Sequence, residues 1–465
     1  MEAKAESEET LEKLLEASKK PEGCTRLTTT GTLGALLHRL PTTLPDVLLI
    51  LRILRNLCAG QAANQNAFLN NGGPAVMEAV LGSPLATAEI RRVGLQLLGN
   101  VALAGEEHRA AVWTANFPSR FLELAEFREP GVCDALCMLL DTCCSSVGGR
   151  RRLEELCDDE KGMPIMLAII MTALTNGYQE EWLEWLVTKI CIEEPYFLQL
   201  FEKMGLARDG YIYADEKYTF FTNTQAFLLE LLSKCLSERP GDISMTNNFV
   251  LGILKIFKEA TNVTDFISRG TSALPTGFPT TDVLGYSLMI LRDACAWEDP
   301  SLAILEAPVD SLLSAGLVEL ILAFLQELEP PSIVRRSMAN TSGEAVMTEA
   351  KKVCPYKGFR RDLVSVIGNC LHGRKHVQDE IRKRNAIPLL LQQCVVDDDN
   401  PFLREWGLLT ARNLLEGNLE NQQYIVELQL QDTVNTPEIS GLGLKVEVDK
   451  NTGRAKLVNV SCAEL

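Results

Sequence analysis

A short phrase centred on asparagine recurs in this chain at 44-residue intervals, and that interval restricts the fold more than any other feature. One copy reads Val366-Ile367-Gly368-Asn369-Cys370-Leu371 and is followed by Val377-Gln378-Asp379-Glu380-Ile381. Another reads Thr410-Ala411-Arg412-Asn413-Leu414-Leu415 and is followed, at the same offset, by Asn421-Gln422-Gln423-Tyr424-Ile425. Nearer the N-terminus, Leu54-Arg55-Asn56-Leu57-Cys58 precedes Asn64-Gln65-Asn66-Ala67-Phe68, and Leu98-Gly99-Asn100-Val101-Ala102 precedes His108-Arg109-Ala110-Ala111-Val112. Asn56 and Asn100 are again 44 apart, and the 269 residues from Asn100 to Asn369 fit six steps of just under 45. Leu291-Arg292-Asp293-Ala294-Cys295 has the same shape, with Asp at the Asn position.

Self-similarity at this period marks a repeat protein whose units bury their apolar faces only by stacking on one another. The expected fold is all-α, an armadillo/HEAT-like right-handed helical solenoid with a small C-terminal β-hairpin. A chain of 465 residues would ordinarily divide into several domains, but a solenoid lengthens its core without thickening it. Hydrophobic residues make up 46% of the chain, ample for such a core. No apolar run approaches the roughly 20 residues that span a bilayer, and the acidic N-terminus is unlike a secretory signal. A soluble intracellular protein is expected. Most of the 14 cysteines fall inside helix-like apolar runs, and no Cys-x-x-Cys pair occurs, so they read as reduced, buried hydrophobes. The formal charge of −17 argues against nucleic-acid binding and favours basic partners.

Along the chain, residues 1–44 read as an acidic, partly helical segment, with a short or frayed helix over residues 1–20 and a polar break from Pro21 to Thr32. Residues 45–336 form an N-terminal helical-repeat block, 337–358 a flexible loop, and 359–430 a C-terminal block of repeats. Within the first block, Leu206–Tyr218 and Gly270–Asp282 read as long loops, and Trp182, Trp185 and Leu186 as an apolar core stripe. In the tail, 431–465, the apolar period changes from 3.6 to 2. Leu444–Val448 and Arg454–Val458 flank a polar turn and read as a hairpin able to cap the last repeat.

The element Asp397-Asp398-Asp399-Asn400-Pro401-Phe402-Leu403-Arg404-Glu405-Trp406, running on to Arg412-Asn413-Leu414 and Asn421-Gln422, resembles the C-terminal region of the ataxin-10 family. The resemblance is close from about Lys357 to Val426 and looser around Leu54–Leu69, Leu97–Trp113 and Glu181–Leu198. It implies a non-enzymatic, armadillo-like scaffold of the cytoplasm and perinuclear region, also found at the centrosome, the cilium basal body and the midbody. It further implies roles in neuron survival, neurite outgrowth through Ras–MAP kinase signalling and cytokinesis. The implied partners are O-GlcNAc transferase, whose protein O-glycosylation it would stimulate, and a G-protein beta subunit. Self-association is left open.

Candidate partner-binding residues follow from the repeat. In an armadillo unit the phrase lies near the end of the third helix, so Asn56, Asn100, Asn369 and Asn413 form a ladder. Each could hold the backbone of an extended peptide, or could instead tie its own inter-helix loop. One such hydrogen bond nets only about 0.5–1.5 kcal/mol, so a peptide would also need apolar anchors. Import adaptors of this architecture place a Trp four residues before each Asn, where this chain has Arg52, Gln96, Ser365 and Leu409. That excludes reading a basic import signal. Trp406 is either a groove anchor or a core residue behind Pro401-Phe402. Asn400-Pro401 reads as a cap and first turn, with Asp397–Asp399 favouring the same helix start. The basic run Arg374, Lys375, Arg382, Lys383 and Arg384, with Arg360 and Arg361 upstream, is either a solvated face or a site for an acidic partner.

Nothing points to catalysis or to a cofactor. No phosphate-binding Gly-Lys loop, Gly-x-Ser-x-Gly elbow or His-Glu-x-x-His motif occurs. Cys370, His372 and His376 lack a third acidic ligand at zinc spacing. The expected function is an interaction scaffold. The alternative is an adaptor that carries a peptide cargo to the centrosome or basal body through an Asn-lined groove.

Overall fold

In the computed structural model, residues 2–40, 46–145, 148–177, 181–206, 220–296, 307–335, 351–428, 444–448 and 455–459 are described. They form two compact units, Met1–Gly252 and Ile253–Leu465, and the division falls inside the helix Asn247–Val263. Each unit is an all-α helical stack. The only strands among the described residues are Leu444–Val448 and Ala455–Asn459, paired antiparallel with Val446 opposite Leu457.

The repeating step is two short helices followed by a long one. Ala62–Asn70, Gly73–Leu81 and Ala88–Ala102 make one step; Glu106–Asn116, Ser119–Glu126 and Pro130–Cys144 make the next. Lys375–Lys383, Ile387–Leu391 and Leu403–Leu415 make the last. Local chemistry sets these boundaries. Pro74, Pro130 and Pro388 sit in the first turn of their helices, where the missing N–H is not needed. A glycine four residues after Asn56, Asn369 and Asn413 ends each long helix in the left-handed region, with φ of +67°, +64° and +67° at Gly60, Gly373 and Gly417. Thr87 caps the helix Ala88–Ala102 by accepting from the Ile90 N–H.

The long helices carry the core. In the first unit Val47–Cys58, Ala88–Ala102, Pro130–Cys144 and Glu181–Thr188 pack in succession, and in the second Pro279–Ala296, Phe359–Leu371 and Leu403–Leu415 do. Ile50, Leu54 and Leu57 of the first helix and Leu95, Leu98 and Val101 of the next are fully buried. Between steps, Arg152 lies buried and forks onto the Glu106 carboxylate at 2.7 and 2.9 Å while its Nε–H donates to the Cys143 carbonyl.

Three expectations change. The short N-terminal helix is there, as Glu2–Ser18 packed on Val47–Cys58, but Pro21 to Thr32 is no polar break: Pro21–Thr29 is a helix, and Thr32–Arg39 follows as another. The even beat also fails in the second unit, where Asp293 and Asn369 stand on neighbouring long helices although 76 residues separate them. The extra chain lies partly in the stretch expected as a flexible loop. Residues 337–350 of that stretch are outside the described residues, but Lys351–Gly358 is pinned. Its Val353 N–H donates to Phe266 O, its Lys357 N–H to Ser272 O, and Cys354 and Tyr356 are buried. A segment without helical period can still fill a core when it pairs with another extended loop, here Phe266–Ser272. Leu206 ends the helix Phe197–Leu206, and the loop expected at Leu206–Tyr218 otherwise falls outside the described residues.

Candidate functional site

The Asn ladder is a set of links between repeats. The Nδ2–H of Asn100 donates to the carbonyl of Arg55, the residue before Asn56, at 3.0 Å. Asn413 donates to Gly368, the residue before Asn369, at 2.9 Å. Asn369 donates to Arg292, the residue before Asp293, at 2.9 Å, so Asp293 does occupy the Asn position of its repeat. Asn56, on the first full step, donates to the Ser18 hydroxyl at 3.1 Å. The partners lie in the preceding repeat, neither in open space nor in the residue's own loop. At Arg55 and Gly368 the cap N–H goes to the following carbonyl, so these last-turn carbonyls take their bond from the side-chain amide.

A second side chain works in the opposite direction. Nine residues after Asn56, the Nε2–H of Gln65 donates to the Asn100 carbonyl at 2.8 Å; nine after Asn369, that of Gln378 donates to the Asn413 carbonyl, also at 2.8 Å. Each Asn therefore reaches back one repeat and each Gln reaches forward one. Glycines let neighbours come close: a Cβ at Gly368 would lie 2.7 Å from Thr410 Oγ1 of the next long helix, and one at Gly407 2.5 Å from the Gln393 carbonyl oxygen in the turn after Ile387–Leu391.

The acidic element before Leu403 has a different role from the one its sequence suggests. Phe402, at φ +66°, precedes the helix, and no side chain caps it. The Asn400 Oδ1 instead accepts from the Arg360 N–H at 3.0 Å, capping the upstream helix Phe359–Leu371, while its Nδ2–H donates to Asp397. Arg360 is buried and donates to Gln393 and to the Glu329 carbonyl. Tyr356 Oη donates to Asp362 at 2.9 Å, and burial raises the pKa values of both groups. Arg269 joins the network by pairing with Glu329 and Asp399.

Of the basic run, Arg382, Lys383 and Arg384 are engaged within the protein. Arg382 pairs with Asp379 and Glu420, Lys383 with Glu380, and Arg384 with Glu319 and Glu380. Trp406 is half-buried. Cys370 Sγ lies 3.5 Å from Cys295 Sγ. Among the described residues no group of three or more His, Cys, Asp or Glu side chains is placed to hold a metal ion, and no single helix is long and apolar enough to cross a membrane.

The surface that sequence reasoning missed is on Glu181–Thr188. Trp182 and Trp185, expected in the core, are 36% and 46% exposed, and only Leu186 of that stripe is buried. The Arg239 guanidinium lies over the Trp185 ring at 4.5 Å, and Lys234 pairs with Glu184 at 2.7 Å beside it. The signal was present: Leu183, Leu186, Val187 and Ile190 already complete an apolar face, which leaves positions 182 and 185 outside it. The helix then widens into a π-turn over Lys189–Glu193.

Long helices stacked side by side and tied by reciprocal Asn and Gln bonds define a helical-repeat protein of the armadillo kind. The sequence model of the spinocerebellar ataxia type 10 protein domain matches residues 359–458. Ataxin-10 of Macaca fascicularis is 24% identical over 424 residues, covering 85% of this chain and 78% of its own. Ataxin-10 of Xenopus tropicalis is 26% identical over 407 residues, covering 85% and 77%. The ataxin-10 homolog of Dictyostelium discoideum is 39% identical over 104 residues, 22% of this chain and 17% of its own. Residues 359–458 thus match the ataxin-10 domain, and 85% of the chain is similar to ataxin-10 proteins. Among solved structures, a designed armadillo repeat protein aligns over 82% of this chain and 99% of its own at 10% identity, with a TM-score of 0.22.

Proposed function

We propose that this protein is a non-enzymatic interaction scaffold and that Trp182 and Trp185 form a principal partner-binding surface. The observation that supports this is the exposure of two tryptophans on a helix whose other face is fully buried. Large rigid aromatics at the surface dominate binding energy in protein complexes, because they bury much area at little entropic cost. The Arg239 guanidinium over Trp185 marks the ring as a cation-accepting face. With a chain charge of −17, this favours a partner that presents basic and aromatic groups. A rigid scaffold of this kind acts by raising the local concentration of two proteins bound to it.

By resemblance to the ataxin-10 family, the proposed partners are O-GlcNAc transferase and a G-protein beta subunit. The proposed settings are cytoplasmic and perinuclear, with the centrosome, basal body and midbody. Calorimetry with each purified partner tests the reading. Trp182→Ala combined with Trp185→Ala should weaken binding at least tenfold while leaving the unfolding midpoint within a degree or two. Equal affinity for wild type and double variant, for both partners, would remove the tryptophan surface from the proposal.

A further inference from the structure

An open cavity of about 240 Å³ lies in the first unit, where the turn over residues 82–87 meets the starts of two successive long helices. Leu40, Val47, Val80, Leu85 and Ile90 give it apolar walls. Leu40, Val47 and Val80 are buried, whereas Leu85, at the mouth, is 60% exposed. A dry cavity of about 150 Å³ already admits a benzene ring, whereas cofactor-sized ligands need roughly 300–1,000 Å³. This one suits a single aromatic side chain.

The next step of the solenoid holds an internal template for the occupant. Val47, Ala79 and Ser83 of the lining stand 44 residues before Arg91, Glu123 and Phe127, and each pair occupies the same element of its step. Ser83 and Phe127, for example, both lie in the turn between the second short helix and the long one. One step on, the Arg91 guanidinium covers the Phe127 ring at 4.1 Å, and Arg120 pairs with Glu78 and Glu123 close by. Around the cavity the ring position is a serine, the cation a valine and the carboxylate an alanine. Walls without partner atoms opposite forfeit their dispersion contacts, and a ring would restore them. The connecting residues 41–45, which lie outside the described residues, include no aromatic.

We propose that this cavity is a second docking site and takes the phenylalanine side chain of a partner protein. A ring carried on a polypeptide turn is what Phe127 supplies internally one step on. Leu85 extends the apolar surface past the cavity, where the backbone of an inserted residue would run and a free ring would not reach. Aromatic anchors seated in pockets carry much of the energy of protein complexes. A second copy of the chain would have to associate against a charge of −17 on each partner. The site goes beyond the Trp182 and Trp185 surface and stands without it; with both, one scaffold holds two proteins together.

Methyl NMR on the full-length chain tests this, with acetyl-Gly-Gly-Phe-Gly-Gly-amide as the probe. Saturable shifts at millimolar peptide are expected at Val47, Val80, Leu85 and Ile90, and binding at least tenfold weaker when the probe carries Ala in place of Phe. Ser83→Phe, which supplies the ring of the next step, should abolish the shifts without lowering the unfolding midpoint. Leu85→Ala, at an exposed position, keeps the repeats folded and should weaken the peptide severalfold. Trp182→Ala combined with Trp185→Ala should leave the shifts unchanged, which separates this site from the tryptophan surface. No saturable shift up to the solubility limit of the peptide would overturn the proposal. So would toluene binding as tightly as the peptide, which would assign the cavity to free aromatic ligands. Binding that appears only in Leu44→Ala would give the cavity to the chain's own linker, and a dimeric mass lost in Ser83→Phe would give it to a second copy; either result overturns the proposal.

Discussion

Asn413 and the Gly368 carbonyl lie 2.9 Å apart across 45 residues of sequence, and the bond between them is repeated wherever two Asn phrases fall on adjacent helices. Asn413 is only 6% exposed, so truncation strands a carbonyl in a dry environment. Asn413→Ala should destabilise the second unit by about 1–2 kcal/mol. Asn56→Ala should cost less, because Asn56 is half-buried and its partner, the Ser18 hydroxyl, keeps its own bond to the Leu15 carbonyl. Solenoids unfold in segments, so exchange of amides in 359–427 reports the first effect better than a single melting temperature.

The Asn400 side chain predicts a larger loss. It caps the Arg360 N–H and holds Asp397, all three groups being buried. Asn400→Ala should cost about 2–3 kcal/mol, because a helix N-terminus and a carboxylate lose partners together. Asp399→Ala removes a part-exposed ion pair to Arg269 and should cost under about 1 kcal/mol. Urea unfolding of the two variants checks the ranking.

The close packing of Gly407 on a backbone turn makes a steric prediction. A methyl there meets the backbone of Gln393 and Cys394, which has no rotamer to yield, so Gly407→Ala should cost about 2–3 kcal/mol. At Gly368 the obstacle is the Thr410 hydroxyl, a side-chain group. Gly368→Ala should therefore cost less, and Thr410→Ser should not rescue Gly407→Ala. Denaturant midpoints decide the order.

Burial pushes the thiol of Cys133 up to about 11 and those of Cys58, Cys143 and Cys157 up to about 12. An unfolded thiol ionises near ~8.5. The folded state thus holds protons that the unfolded chain releases. This contribution to stability is intact below about pH 8.5 and falls away as pH rises toward 11–12. The urea midpoint should drop between pH 8.5 and 10.5; a flat profile would contradict the assignment. In the native state near pH 8, Cys394, the one described cysteine that is not buried, should react with a thiol reagent before the other described cysteines.

Much of this was legible in the chain. The Asn phrase and the segment that follows it at a fixed offset are local signals, and they located the long helices. Asp293 was recognisable as a degenerate copy for the same reason. What the phrase did not disclose was direction. Asn400 reads as a cap for Leu403–Leu415 because capping is usually local, yet it serves a helix forty residues upstream. Trp182 and Trp185 read as core because aromatic stripes usually are, although Leu183 and Leu186 had already filled that face.

The sequence alone determined the all-α repeat and the ataxin-10 resemblance, since periodicity and the Asn-Pro-Phe-Leu-x-Glu-Trp string are short-range properties of the chain. Tertiary structure alone decided which carbonyl each amide finds, which tryptophans reach water, and that Lys351–Gly358 enters a core. Those outcomes depend on which neighbour a side chain meets once helices 44 to 76 residues apart are brought into contact. Nothing in the local sequence encodes that neighbour.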